Sequence, residues 1–154
     1  MLNSALAFRA RLALVTGDRD QAGAYARELL AMLVEQAELH AVAEWSADLA
    51  AVLVGLGRGS DLRELAASKA VSTPWLEAAV AFAGSDFERA ADQYAKIGSL
   101  PDEAFARLRA AEQLLATGQQ AEGNAHLQRA VTFYRKARAT ACLRQAEALL
   151  AASA

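Results

Sequence analysis

Ser72-Thr73-Pro74-Trp75-Leu76-Glu77-Ala78-Ala79 opens, Gly84-Ser85-Asp86-Phe87-Glu88-Arg89-Ala90 interrupts and Gly98-Ser99-Leu100-Pro101 closes the stretch whose reading decides the fold. Thr73 offers an oxygen to the orphan N–H groups of a helix start, and Pro74 brings a fixed φ to the first helical position, where no N–H is needed. Gly84 sits where a helix must stop and turn back through a left-handed residue, and Asp86 to Glu88 place carboxylates at the positive end of the next helix. Gly98 to Pro101 repeats the stop and the start. The stretch therefore reads as two antiparallel helices joined by a tight turn, with a further pair beginning at its end.

The same punctuation recurs on both sides. Thr16-Gly17-Asp18, Leu56-Gly57-Arg58-Gly59-Ser60 and Thr117-Gly118-Gln119 are turns of the same kind, and Gly17, Gly57, Gly84 and Gly118 lie 40, 27 and 34 residues apart. The chain divides on this reading into approximate repeats 3–37, 39–70, 72–98 and 99–137 and a closing helix 139–152, all within one domain, 1–154. Asp18 is the expected N-cap of the second helix, with Asp20 in its first turn. Seven residues before Gly17, Gly57, Ser85 and Gly118 stand Ala10, Ala50, Ala78 and Ala111. Alanine at one register fits a close helix crossing, and using Ser85 in place of Gly84 implies a one-residue insertion in that turn.

Composition points the same way. Among 154 residues Ala occurs 40 times and Leu 22 times, against nine Val plus Ile and two Pro. Ala and Leu head the helix scale because they lose little side-chain freedom, and β-branched residues suited to sheet are scarce, so the expected class is all-α with about eight to nine helices. Sixteen Lys plus Arg against 18 Asp plus Glu leave a net charge of −2, which gives no global field toward nucleic acid or anionic membrane. The expected partner is a protein or peptide. Cys142 stands alone, so neither a disulfide nor a cysteine zinc set is available, which fits a reducing, cytoplasmic setting. No basic n-region precedes an apolar run at the N-terminus, and no apolar stretch reaches membrane-spanning length. Thirteen of the basic residues are Arg, a bias suggesting a GC-rich bacterial genome.

Gly17-Asp18-Arg19-Asp20-Gln21-Ala22 and Gly84-Ser85-Asp86-Phe87-Glu88-Arg89-Ala90 resemble the turn and second-helix signature of tetratricopeptide (TPR) repeats, whose period near 34 residues equals the last glycine spacing. Ala22 and Ala90 occupy the small position of that signature. Leu62 and Gly123 replace it in the other pairs, and Gly123 is expected to weaken its helix by about 1 kcal/mol relative to Ala. The resemblance implies a short right-handed TPR-like superhelix. The later half, Val71-Ser72-Thr73-Pro74-Trp75 through Phe133-Tyr134-Arg135-Lys136, resembles the C-terminal repeat region of actinobacterial signalling proteins that join a nucleotide cyclase domain and a P-loop ATPase domain to a TPR-like tail. What this implies is a regulatory, partner-sensing tail without adenylate cyclase or ATPase motifs of its own.

The repeat register turns Arg11, Glu44, Trp75, Phe82, Phe105, Leu108 and Glu112 toward the concave groove of such a superhelix, as candidate partner-binding residues. Core burial is the competing reading for the aromatics, because large aromatics are mostly buried. Gly55-Leu56-Gly57-Arg58-Gly59 lacks the Lys-Ser/Thr of a phosphate-binding loop and follows a helix, so it reads as a turn. His40 and His126 have no ligand or nucleophile at useful spacing and read as helix-surface or rim residues; the Asp102-Glu103 and Asp86-Phe87-Glu88 carboxylates fall in first turns. The basic cluster Arg129, Arg135, Lys136, Arg138 and Arg144 reads as a solvated face.

No catalytic, cofactor or metal site is expected. The leading function is a non-catalytic protein-interaction scaffold, and the alternative is the helical sensor arm of a TPR-containing transcriptional activator. Leu2, Leu6, Phe8, Leu12 and Leu14 make the first helix apolar where a terminal repeat wants a polar outer face, so it reads as the middle of a longer array and as a contact for a homo-oligomer. In the last helix Cys142, Leu143, Ala146, Leu149 and Leu150 are expected to face inward and Arg144, Gln145 and Glu147 to face water.

Overall fold

The computed structural model describes residues 2–35, 45–68 and 72–153, and every regular element among them is an α-helix. The nine helices among the described residues are α1 (Leu2–Val15), α2 (Arg19–Glu35), α3 (Trp45–Gly55), α4 (Gly59–Ala67), α5 (Pro74–Ala83), α6 (Phe87–Ile97), α7 (Leu100–Ala116), α8 (Gln120–Ala137) and α9 (Thr140–Ala152). Two compact units contain them, Met1–Asp86 with α1 to α5 and Phe87–Ala154 with α6 to α9. The division falls in the turn of the pair expected over 72–98.

Helix starts follow the side chains. Thr73 Oγ1 accepts the Leu76 N–H at 3.2 Å with Pro74 behind it, and Asp18 Oδ1 accepts the Gln21 N–H at 3.1 Å. At the start of α7, Ser99 caps no backbone N–H; its hydroxyl donates to Asp102 Oδ2 at 2.6 Å.

Six of the helix ends among the described residues share one geometry. In six turns a left-handed residue follows the helix, and the next N–H reaches back five residues to a carbonyl: Asp18 to Ala13, Arg58 to Leu53, Asp86 to Ala81, Ser99 to Tyr94, Gln119 to Leu114 and Ala139 to Tyr134. This is the Schellman pattern, which satisfies carbonyls that a helix end leaves open. The left-handed residues are Gly17, Gly57, Ser85, Gly98, Gly118 and Arg138, with φ of 88°, 75°, 62°, 85°, 81° and 55°. Gly84 has φ −83°, so the turn after α5 holds no insertion and Ser85 keeps the common register. Ala10, Ala50, Ala78 and Ala111, seven residues before the left-handed position, are all fully buried.

In the first unit α1 packs against α2 and α3, and α3 against α5, so the opening helices of successive pairs are neighbours. Ala7, Ala10, Leu49, Ala50, Val52, Leu53, Ala78 and Ala79 are fully buried there, and the small side chains let the helix backbones approach closely. Gly59 carries the same logic further. A Cβ on it would overlap the carbonyl oxygen of Ala83 and stand 3.1 Å from that carbonyl carbon, so α4 begins directly against the backbone at the end of α5. The glycine cluster at 55–59 thus serves a turn at Gly57 and a backbone contact at Gly59.

In the second unit α6 packs on α7, α7 on α8 and α8 on α9. Its core gathers Ala104, Leu108, Ala111, Leu127, Ala130, Val131, Tyr134 and Ala146, with Leu115, Phe133, Cys142, Leu143, Leu149 and Leu150 packed around it. Arg144, Gln145 and Glu147 are exposed, so α9 buries the side expected of it. Gly123 departs from expectation: a Cβ there would meet Leu115 Cγ at 2.8 Å and Leu115 N at 3.3 Å. The glycine is the condition for α8 to approach α7, and alanine would gain propensity only by displacing Leu115.

Candidate functional site

The groove residues expected from the repeat register divide by burial. Phe82 and Leu108 keep 3% and 1% of their surface and belong to the core, where a partner cannot reach them; this corrects their assignment to the groove. Both lie on helices that are buried over more than half their circumference, which the register did not anticipate. Glu44 lies outside the described residues. Arg11 is half-buried, and its Nη1 donates to Asp48 Oδ1 at 2.6 Å, tying α1 to α3. Trp75 is half-buried on α5, and its backbone carbonyl accepts the Ser46 hydroxyl at 3.5 Å.

Phe105 and Glu112 are half-buried on α7 and belong to one stripe. The stripe is Phe105, Arg109 and Glu112, spaced i, i+4 and i+7, so the three stand one above another on a single helix face. The Arg109 guanidinium lies 5.2 Å over the Phe105 ring, and its Nη1 donates to Glu112 Oε2 at 2.7 Å. Glu112 Oε1 accepts the Gln145 side-chain amide of α9 at 2.9 Å. Ring, guanidinium, carboxylate and amide are held in sequence by contacts to one another. Arg109 keeps a side-chain exposure of 39% and Glu112 one of 27%, enough for each to meet a second molecule without leaving its present contact. Sequence reasoning found Phe105 and Glu112 and missed Arg109 and Gln145; the i, i+3 spacing of Arg109 and Glu112 was the available signal.

The opposite side of α7 carries a second polar arrangement, again missed. Arg107 is buried, with 4% exposure. Its Nε donates to Glu103 Oε1 at 2.7 Å, Nη2 approaches Asp92 Oδ1 of α6 at 3.5 Å, and Nη1 lies 3.3 Å from Nδ1 of His126 on α8. His126 Nε2 lies 3.2 Å from Glu88 Oε1 of α6. A guanidinium only donates, so the network assigns the imidazole proton to Nε2: the ring accepts from Arg107 and donates to Glu88. His126 is half-buried at the rim of a three-helix network, within the reading of it as a helix-surface or rim residue. A buried guanidinium is costly unless its donors are engaged, and here each terminal nitrogen and Nε has an acceptor. The chemistry of this arrangement is mechanical: it pins α6, α7 and α8 together.

Around these sites, Arg135 pairs with Glu147 at 2.9 Å while Arg129, Lys136, Arg138 and Arg144 are exposed. No group of three or more His, Cys, Asp or Glu among the described residues is arranged to hold a metal ion. No helix among the described residues is long and apolar enough to cross a membrane. Comparison with protein-family models, curated proteins and solved structures finds no match to this chain.

Proposed function

We propose that the chain is a non-catalytic scaffold of TPR-like helix pairs that binds protein or peptide, and that it serves as a regulatory tail in a bacterial signalling protein of the cyclase and ATPase type. The observation that carries the binding reading is the α7 stripe. A half-buried aromatic ring, a stacked guanidinium and a carboxylate stand on one rigid helix, and residues of these types dominate protein interfaces because they bury large area and still hydrogen-bond. Two further observations support the helix-pair reading: six turns built on one hydrogen-bond plan, and the succession of α1, α3 and α5 as packed neighbours. Glu88, Glu103 and His126 of the second unit are engaged in holding helices, which supports a binding role over an acid–base one.

The test is selection of peptides from a displayed random library against the whole chain, followed by binding to the Phe105→Ala/Arg109→Ala double variant. Far-UV circular dichroism establishes that the variant keeps its helices. The expected result is a family of peptides whose affinity falls at least about tenfold on the double variant, the loss of one hot-spot contact or more. A selection that yields no binders refutes the reading, and binders indifferent to both residues refute the α7 stripe as the binding surface.

A further inference from the structure

α1 carries apolar side chains both on the side packed in the core and on the side turned to solvent. Leu6, Ala7, Ala10 and Ala13 are buried against α2 and α3, and Leu14 is half-buried against Gly55. On the other side Ala5, Phe8, Leu12 and Val15 face solvent, and the last three keep 64%, 52% and 77% of their surface. Helices that are apolar all round are found buried, since water on one side forfeits the burial of large side chains. The exposed residues follow a 3, 4, 3 spacing, 5 to 8 to 12 to 15, which is the a/d seam of two helices packed side by side. Fourteen residues give the seam a length of about 21 Å, roughly two heptads.

Charge decides what kind of helix fits. The charged side chains of α1 are Arg9 and Arg11, and the helix has no carboxylate. In the heptad that places Phe8 and Val15 at d and Ala5 and Leu12 at a, Arg9 and Arg11 fall at the flanking e and g positions. Arg9 is exposed, its guanidinium 5.6 Å over the Tyr25 ring, and Arg11 points to Asp48 at one edge. A second copy of the chain docking α1 antiparallel on α1 would set arginine against arginine, a like-charge contact that costs affinity, and docking it parallel would set Arg9 and Arg11 against Ser4 and Thr16, with no carboxylate to meet them. A helix with a carboxylate at the flanking position beside Arg9 would meet opposite charge instead, Arg11 being paired already with Asp48.

The geometry points to α1 as the docking face for one class of occupant, an amphipathic helix of about two heptads with an apolar seam and Glu or Asp beside it. This rests on the reading of the chain as a protein-binding scaffold and adds a second surface, in the first unit, to the α7 stripe.

The probe is a fluorescently labelled 17-residue peptide with Leu at a and d and Glu at e and g. A matched peptide carries Lys at e and g. Anisotropy is read on the whole chain at peptide concentrations below those at which the peptides self-associate. The acidic peptide is expected to bind about tenfold or more tightly than the basic one, and Phe8→Ser is expected to abolish binding. Arg9→Glu is expected to reverse the preference toward the basic peptide, a result that non-specific stickiness of an apolar face does not produce. Phe8 and Arg9 are exposed, so these variants are expected to keep the melting behaviour of the parent chain, checked by circular dichroism. Equal binding of the two peptides, no binding of either, or an unchanged preference in Arg9→Glu overturns the assignment. A sedimentation mass that doubles for the parent chain and returns to monomer in Phe8→Ser also overturns it, in favour of a second copy on this face. Peptides selected through Phe105 and Arg109 that still bind while the acidic helix does not would sink this assignment alone and leave the scaffold reading standing.

Discussion

Gly59→Ala sets intrinsic helix propensity against packing, and the structure fixes the sign. Gly59 is the first residue of α4, and replacing glycine by alanine in a helix ordinarily stabilises by up to about 1 kcal/mol. Here the new methyl would overlap the Ala83 carbonyl oxygen and stand 3.1 Å from the Ala83 carbonyl carbon. Ordinary contact between carbons needs about 3.5–4.0 Å, so the start of α4 and the end of α5 must part by about 1 Å. Neither can give freely, because Leu62 on α4 is fully buried and Phe82 and Ala83 on α5 keep 3% and 7% of their surface. Overpacking of this kind costs about 1–3 kcal/mol, and after the propensity gain a net destabilisation of about 1–2 kcal/mol is expected. For a unit of this size that lowers the midpoint by about 5–10 °C. Both tryptophans of the chain, Trp45 and Trp75, lie in the first unit, so the thermal midpoint read by tryptophan emission reports the affected unit and not its neighbour. Ser60→Ala, an exposed change in the same turn of α4, is the control and is expected to move the midpoint little. An unchanged or raised midpoint in Gly59→Ala would refute the packing argument and leave the glycine cluster as a turn alone.

Four further outcomes are expected. Ser85→Gly relieves a non-glycine residue at φ 62°, and allowing for the greater freedom of glycine in the unfolded chain it is expected to stabilise by about 0.5–1 kcal/mol in chemical denaturation. Glu103→Ala leaves the buried Arg107 guanidinium without its 2.7 Å partner and is expected to cost about 2–3 kcal/mol, read by urea unfolding followed at the tyrosine signal of the second unit. Asp92→Ala, whose carboxylate is 66% exposed at 3.5 Å from Arg107, is expected to fall within experimental error of the parent chain. Phe82→Ala is expected to cost about 3–5 kcal/mol, while Phe105→Ala, half-buried under Arg109, is expected to cost less than half of that in the same calorimetric comparison.

Much of the fold was legible because helix ends are written in local chemistry. Thr73-Pro74 and Asp18 cap where their side chains allow it, and Gly17, Gly57 and Gly118 take the left-handed turn that glycine favours. That Ser85, and not Gly84, takes the left-handed position, and that Arg138 takes it after α8, was not legible. Their left-handed backbone is imposed by where α5 and α8 run out of packing, through the bonds from Asp86 to Ala81 and from Ala139 to Tyr134, not by any preference of serine or arginine. The candidate site was legible in half. α5 is apolar on nearly all sides, so no amphipathic stripe in its sequence says whether Phe82 or Trp75 faces out. On α7 the boundary between core and solvent passes between Phe105 and Leu108, which lie only about 60° apart on a helical wheel, and a register with that error cannot separate them. Arg107 and His126 were hidden for another reason. Glu103 and Arg107 at i, i+4 read as a solvated surface pair, and only the arrival of α6 and α8 over them makes the pair a buried one.

That burial bears on how the opposite face of α7 can work. A binding stripe is effective when its side chains are already placed, because ordering them on contact costs about 0.5–1.5 kcal/mol each. Phe105, Arg109 and Glu112 are placed by one another and by Gln145, but their backbone must also be held. Leu108 and Ala111 hold it by packing, which resists translation away from α8 but is weakly directional. Arg107 adds direction: its three hydrogen-bonding nitrogens meet Glu103 on its own helix, Asp92 on α6 and His126 on α8, so rotation of α7 about its axis breaks contacts on one side or the other. Loss of Glu103 is therefore expected to weaken peptide capture at Phe105 and Arg109 more than the loss of helix content alone explains. Capture that follows the folded fraction, with no further loss, would show that apolar packing orients α7 by itself.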